Sequence, residues 1–143
     1  MNINEFIEII KNSSETEALL ALEHDHSLAY SVAPPDGPLG GVTALHWAAH
    51  RNLQKLTLSL IKVGADVNSK ECTWGNSSTP LQWAAGAGKA EATKILIENG
   101  AEIDYHEGNG HTALHCCAWG GSSGGSTDPQ GFANTAKVLL ESG

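Results

Sequence analysis

The sequence is poor in positive charge and in cysteine. Its 143 residues contain 8 Lys and Arg against 16 Asp and Glu, which gives a formal net charge of −8. Nucleic-acid backbones are bound by basic surfaces, so this excess of acid disfavours a DNA- or RNA-binding function. Three cysteines cannot all pair with one another, which favours a reducing, intracellular setting.

The sequence also lacks long apolar stretches, and its first residues do not have the pattern of a secretory signal. No apolar run approaches the roughly 18 residues that a membrane-spanning helix needs. The first residues read Met-Asn-Ile-Asn-Glu, without the basic region and the apolar segment of a secretory signal. We therefore predict a cytoplasmic protein that does not enter membranes. Transfer into a host cell without a cleavable signal stays open as an alternative.

Few residues point to catalysis. The sequence has no phosphate-binding loop ending in Lys-Ser/Thr and no Cys-x-x-Cys pair. His46 and His50 are four residues apart in a predicted helix, and two imidazoles on one helix face can bind zinc. No acidic residue follows them in the pattern that a zinc hydrolase requires. We predict no enzymatic activity, no cofactor and no metal site; a His-based metal enzyme is the remote alternative.

One seven-residue phrase occurs three times. Residues 43–49 read Thr-Ala-Leu-His-Trp-Ala-Ala, residues 79–85 read Thr-Pro-Leu-Gln-Trp-Ala-Ala, and residues 112–118 read Thr-Ala-Leu-His-Cys-Cys-Ala. A second phrase, Gly-Ala-Asp-Val-Asn at 64–68, returns as Gly-Ala-Glu-Ile-Asp at 100–104. The openings are offset by 36 and 33 residues. A period of this length predicts an array of small helical units, each packed only on its neighbours.

Capping residues in these phrases predict two helices in each unit. Thr43, Thr79 and Thr112 stand where a hydroxyl can satisfy a free amide of the first helical turn. Asn52 and Gly88, which tolerate left-handed backbone, are expected to end the first helix of their units. The second helix of each unit is expected to end at a glycine, namely Gly64, Gly100 or Gly143.

The recurring phrases resemble those of the ankyrin repeat family over about residues 38–143. The resemblance implies an all-α fold, an ankyrin-type solenoid of stacked antiparallel helix pairs joined by projecting β-turn or hairpin loops. Residues 1–143 then form a single domain. Its predicted parts are a divergent N-terminal capping unit at 1–37, repeats at 38–73, 74–106 and 107–143, and a Gly/Ser-rich insertion at about 122–131.

The resemblance also assigns roles within the opening phrase. In the family, a His at the positions of His46 and His115 is structural and bonds backbone groups between neighbouring turns. Gln82 can form similar hydrogen bonds in the middle unit. Trp47 and Trp83 occupy a position where the family has a large apolar core residue, so we expect both in the core.

The other two tryptophans are candidates for a binding surface. Trp74 lies among polar residues of a turn, and Trp119 lies next to the Gly/Ser-rich insertion. Exposed aromatic side chains often anchor protein interfaces, although packing of Trp74 under its own loop stays open. In the family, partners contact the turn tips and the inner helix face. Carried over by position, this gives the predicted partner-binding set: Leu39, Val42, His50, Arg51, Trp74, Asn76, Ser78, Asn109, His111 and Trp119.

The function that the resemblance implies is protein binding without chemistry, as in a scaffold. The partner would contact the turn tips and the concave inner-helix surface. A regulatory or targeting segment of a longer enzyme is the alternative. The acidic balance, densest near the N-terminus, either maintains solubility or steers a basic partner.

The last unit lacks the sequence of a cap. Val138, Leu139 and Leu140 look like part of an internal helix, whereas terminal repeats normally have a polar outer face. We therefore expect further sequence after Gly143, an inserted loop that covers the end, or self-association through this unit.

Overall fold

The structure, a computed structural model, describes residues 1–72, 77–106, 110–122 and 128–143. These residues form eight α-helices and a short 3₁₀ turn at His26–Ala29, and they contain no β-strand. The helices are α1 (Ile3–Asn12), α2 (Glu15–His24), α3 (Ala44–His50), α4 (Gln54–Lys62), α5 (Pro80–Gly86), α6 (Ala90–Glu98), α7 (Ala113–Ser122) and α8 (Pro129–Ser142). Within the described part of the chain, no helix is both long and apolar enough to cross a lipid bilayer.

The helices pack in two rows. The first helices of the units, α1, α3, α5 and α7, contact one another in that order, and we call them the inner helices. The second helices, α2, α4, α6 and α8, form the parallel outer row. The predicted all-α solenoid of stacked helix pairs is therefore confirmed, including a helix pair in the divergent N-terminal unit.

The core lies between the two rows. Leu45 and Leu81, from equivalent positions of the opening phrase, are 0% and 1% exposed. Leu60 and Leu96 of the outer row are also fully buried. Full burial of one such side chain contributes about 1.5–3 kcal/mol relative to leaving it in water. Small residues such as Ala48 let the helices approach closely.

Left-handed residues end the helices where the sequence predicted. Asn52 and Gly88 follow the first helices with φ of 58° and 68°, and Gly64 and Gly100 follow the second helices with φ of 113° and 97°. A β-branched or bulky side chain is strained at such angles. Thr79 caps α5 as expected, since its side chain accepts from the amide of Gln82.

Two outer helices receive their N-terminal cap from the preceding unit. The Glu15 side chain accepts from the amide of Leu56 at 3.0 Å, at the start of α4. The Asn52 side chain accepts from the amide of Ala92 at 3.0 Å, at the start of α6. Helix α8 differs, because the adjacent Asp128 caps it. Consecutive units are thus joined by polar contacts as well as by apolar packing.

Both ends of the predicted Gly/Ser-rich insertion, at about 122–131, are helical. Helix α7 continues to Ser122, and α8 already begins at Pro129. Residues 123–127 of the predicted insertion lie outside the described part of the chain.

Candidate protein-interaction surface

Four rings on neighbouring inner helices form an aromatic cluster (His46, Trp47, His50 and Trp83). The ring centroids of Trp47 and Trp83 are 5.3 Å apart and nearly perpendicular. His46 lies 5.2 Å from Trp83, and His50 lies 5.6 Å from Trp47 and 5.9 Å from Trp83. Edge-to-face contacts of this kind stabilise beyond simple burial. The cluster joins α3 to α5.

The two tryptophans are only half-buried, which corrects the expectation that they are core residues. They pack against the core on one side, and part of each ring stays open to solvent. The reason is the helical period. Residue 47 follows residue 45 by about 200° around the helix, so Trp47 faces away from the outer row while Leu45 faces it.

His46 is the structural member of the cluster. Its Nδ1 accepts from the backbone amide of Thr43 at 3.2 Å, so the proton of the neutral ring is on Nε2. That nitrogen donates to the carbonyl oxygen of Ser78 at 3.1 Å. Burial lowers the pKa of His46 to about 4, against a partial rise from the Ser78 carbonyl. The ring is therefore neutral at pH 7.

Gln82 makes the equivalent contact one unit later. Its side-chain amide donates to the carbonyl oxygen of His111 at 2.8 Å, and its Oε1 accepts from the amide of Thr79 at 3.0 Å. The predicted structural roles of His46 and Gln82 are confirmed. Both side chains link a helix start to the turn of the following unit.

His50 is the exposed member of the cluster. Desolvation against the tryptophans lowers the pKa of His50, and the nearby positive charges of Lys89 and Arg51 lower it further. The guanidinium of Arg51 donates to the carbonyl oxygens of Ile10 and Ser13, at the C-terminal end of α1. It thereby satisfies carbonyl groups that a helix end leaves unpaired.

Trp119 is the most exposed of the tryptophans whose surroundings the structure describes, at 74%. It lies in α7 at the position that His50 takes in the first repeat and Gly86 in the second, since the openings are offset by 36 and 33 residues. Helix α7 continues beyond Trp119 to Ser122. Its Gly120 contacts the carbonyl oxygen of Gly86 so closely that a side chain would not fit. The ends of α5 and α7 therefore touch.

A comparison with protein-family models identifies the architecture. A model described as ankyrin repeats (3 copies) matches residues 45–143. The chain belongs to the ankyrin repeat family. No curated protein matches the chain. Members of this family are generally protein–protein interaction modules rather than enzymes.

The ankyrin repeat domain places the predicted partner-binding residues in different environments. His50, Arg51, His111 and Trp119 are exposed, and Leu39 is half-buried. Val42 is fully buried, because it packs with residues of α1 and of the preceding loop. Its side chain is therefore not available to a partner, and this part of the prediction is wrong.

The remaining predicted residues belong to the turns. Ser78 is half-buried, and both of its backbone groups are used inside the domain: its carbonyl accepts from Glu71 and His46, and its amide donates to Glu71. Trp74, Asn76 and Asn109 lie outside the described residues, so their predicted roles stay predictions.

Two turn residues contribute contacts that the sequence did not single out. The hydroxyl of Tyr105 donates to the carbonyl oxygen of Ser77 at 3.0 Å, and the ammonium of Lys70 lies 4.5 Å from the centre of the Tyr105 ring. Glu71 is buried within the same turns. The Lys70–Tyr105 contact depends on turns of two different repeats coming together, which no local sequence pattern signals.

The third repeat has the opening phrase but no following unit packed against it in the structure. We call its exposed side the C-terminal face. Leu114 is 38% exposed, whereas the equivalent Leu45 and Leu81 are buried. His115 is also exposed, and its Nδ1 contacts the amide of its own Thr112 at 3.2 Å. Its ring stacks on that of His111 at 5.6 Å. The resemblance predicted a bond from His115 to a neighbouring turn, and that bond is not among the described contacts.

Metal binding and nucleophilic chemistry receive little support from the described residues. In residues 1–72, 77–106, 110–122 and 128–143, no group of three His, Cys, Asp or Glu side chains is close enough to hold a metal ion. Burial raises the pKa of the Cys116 and Cys117 thiols, which disfavours the reactive thiolate.

One catalytic pattern occurs in the sequence, but without the local structure that it needs for catalysis. Residues 120–124 read Gly-Gly-Ser-Ser-Gly, which fits the Gly-x-Ser-x-Gly pattern of esterases. In those enzymes the serine follows a β-strand and begins a helix. Here Ser122 is the last residue of helix α7. The local architecture is therefore not that of a nucleophilic serine.

Proposed function

We propose that this ankyrin repeat domain binds a protein partner through the exposed side of its inner helices, together with the turn tips, and performs no chemistry. The observation that carries the proposal is the 74% exposure of Trp119 on an inner helix. A large aromatic side chain in that position contributes little to the core. Tryptophan is among the residues most often found as interface anchors.

The aromatic cluster supports the same surface. Trp47, Trp83 and His50 offer partly exposed apolar rings on the two preceding inner helices. Their edge-to-face packing holds the rings in place before a partner arrives. Preorganised side chains lose less conformational entropy on binding than mobile ones.

The experiment is capture of partners from a cell lysate, followed by footprinting of the recovered complex. Trp119→Ala should abolish capture, and solvent protection should map to Trp119 and His50. Leu58→Ala is the matched control, because Leu58 is an exposed apolar residue (48%) on outer helix α4. Protection around Leu58 instead, with capture unaffected by Trp119→Ala, would contradict the proposal.

We also propose that the C-terminal face mediates self-association. Leu114 and Leu140, which is 66% exposed, place apolar area on this face. Sedimentation should detect dimers of the intact chain that Leu114→Ser with Leu140→Ser converts to monomers. A monodisperse monomer at high concentration would contradict it.

Two earlier predictions stay untested. A basic partner would suit the acidic N-terminal helix pair, where Glu5, Glu8, Glu17 and Glu23 are exposed. A regulatory role within a longer enzyme would be revealed by an associated catalytic activity.

A further inference from the structure

The inner-helix side carries positive charge although the chain as a whole is acidic. Lys11, Arg51 and Lys89 lie around the aromatic cluster, and we call these three residues the basic patch. The Lys11 ammonium lies 5.2 Å from the centre of a Trp47 ring. Lys89 and Arg51 both act on His50 through their charges. Three of the 8 Lys and Arg of the chain thus converge on one small area.

Lys89 and Arg51 form no ion pair with a carboxylate of the described residues. Within the described part of the chain, the ion pairs involve other lysines: Lys11 with Glu8, Lys94 with Glu98 and Lys137 with Glu141. Arg51 uses its guanidinium on backbone carbonyls, which leaves its charge uncompensated by an acid. The nearby Glu91 accepts a hydrogen bond from Asn52 at 3.1 Å.

A missing side chain opens space beside the basic patch. Gly86 holds the position that His50 and Trp119 take on the flanking inner helices. A β-carbon at Gly86 would meet only atoms of Cys116, at 3.7 and 3.8 Å. Gly86 carries no side chain where His50 and Trp119 each carry a ring, so a bound chain can lie between the two rings.

We propose that the basic patch binds an extended acidic segment of the partner protein. Carboxylates of the segment pair with Lys89 and Arg51, and its backbone crosses Gly86 between His50 and Trp119. The inference rests on the proposed protein-binding function and adds the charge of the segment that is recognised.

The net charge of −8 does not prevent this contact. Charges separated by more than about 8 Å are largely screened at physiological salt, so a bound carboxylate responds mainly to the groups next to it. Around His50 the acting charges are those of Lys89 and Arg51. Of the acidic residues of the N-terminal pair, Glu8 already pairs with Lys11 at 2.7 Å, so the carboxylates of the segment are left with Lys89 and Arg51.

The test uses the intact chain and three synthetic peptides, built from repeated Glu-Glu-Phe, Gln-Gln-Phe or Lys-Lys-Phe. Tryptophan fluorescence and calorimetry at about 0.15 M salt measure binding. The acidic peptide should bind most tightly of the three. Lys89→Glu should weaken that binding by about 5- to 30-fold, since it removes one attraction and adds one repulsion.

Lys62→Glu is the matched control, because Lys62 is exposed on outer helix α4 and the variant makes the same change in net charge. It should leave binding of the acidic peptide within about twofold of the original. A second variant, Gly86→Leu, fills the space between His50 and Trp119 and should weaken binding of the acidic peptide without removing charge.

Three outcomes would overturn the inference: no binding of the acidic peptide, tighter binding of the neutral or basic peptide, or equal losses in Lys89→Glu and Lys62→Glu. Tighter binding of the neutral or basic peptide that still depends on Gly86 and Trp119 would leave the proposed binding surface intact. Loss of all dependence on Trp119, in peptides and in partner capture alike, would instead remove the proposed function.

Discussion

The second and third repeats begin with related phrases, which share Thr, Leu and a final Ala, and place them in different environments. Leu81 is buried and Leu114 is 38% exposed. Gln82 is buried and bonds forward to the next turn, whereas His115 is exposed and bonds to its own helix start. In a stacked array, a side chain is buried by the neighbouring unit as much as by its own. Side chains at equivalent positions of the repeats therefore do not contribute equally to stability.

The largest expected effect is the difference in stability loss between substitutions of Leu81 and of Leu114. Leu81→Ala should lower the free energy of unfolding by about 3 kcal/mol, because it removes buried methyl groups and leaves a cavity. Leu114→Ala should cost about 1 kcal/mol or less, because water already reaches the site. Urea-induced unfolding of both variants measures the difference. Equal losses would show that Leu114 is covered in solution.

The next comparison is of two histidines as the pH falls. His46 has a pKa of about 4 in the folded chain, against 6.5 when unperturbed, so between these values the unfolded chain binds a proton that the folded chain excludes. Stability is therefore full above pH 6.5 and decreases as the pH falls towards 4, by up to about 3 kcal/mol.

His46→Gln should reduce this pH dependence, because glutamine serves the equivalent role at Gln82 without titrating. His115→Gln is the control for the substitution itself, because His115 holds the equivalent position of the third repeat and is exposed. Thermal unfolding between pH 7 and pH 4 measures both. A His46→Gln variant with an unchanged slope would show that His46 is not the group excluded from protonation.

A smaller difference in stability is expected between alanine substitutions of the two glycines at the contact of α5 with α7. Gly120→Ala should cost about 2 kcal/mol, because the new methyl group meets the carbonyl oxygen of Gly86 and the helices must move apart. In Gly86→Ala the new methyl group meets Cys116 at an ordinary contact distance of 3.7 Å, so this variant should change stability by less than about 0.5 kcal/mol. Chemical unfolding gives both values. The reverse order would mean that the two helix ends do not touch.

The smallest expected effect compares equivalent turn residues. The Asn68 side chain donates to the carbonyl oxygen of Gly100 and accepts from the amide of Glu102, at 3.1 and 2.9 Å. Asn68→Ala should therefore cost about 1 kcal/mol. Asp104 is exposed one unit later, and Asp104→Ala should stay within about 0.5 kcal/mol. Melting temperatures of the two variants are a sufficient measure, and an equal decrease would contradict the comparison.

Helix ends were predictable from the sequence because their causes are local. Asn52, Gly64, Gly88 and Gly100 adopt left-handed backbone where α3, α4, α5 and α6 stop, and the threonine of each opening phrase precedes a helix. The period of the phrases then fixed the order of stacking. These signals need no knowledge of distant parts of the chain.

The candidate site was less predictable, because its properties arise between units. Val42 was assigned to a binding surface by position, but it is covered by Ile7 and Ala33 from the N-terminal unit. Arg51 was expected at the surface, and its contacts with carbonyls of α1 could not be foreseen. The sequence predicts Trp119 as an anchor from its place beside the insertion and from its position at the end of an inner helix.

The borrowed caps at Glu15 and Asn52 make the solenoid asymmetric along its length. Removing one unit uncaps the outer helix of the unit that follows, whereas the unit that precedes it loses no such bond. This one-way dependence stops at α8, which Asp128 caps from within its own unit. Local unfolding can therefore begin at the C-terminal end without loosening the helix starts upstream, while a disturbance at the N-terminal end passes down the array.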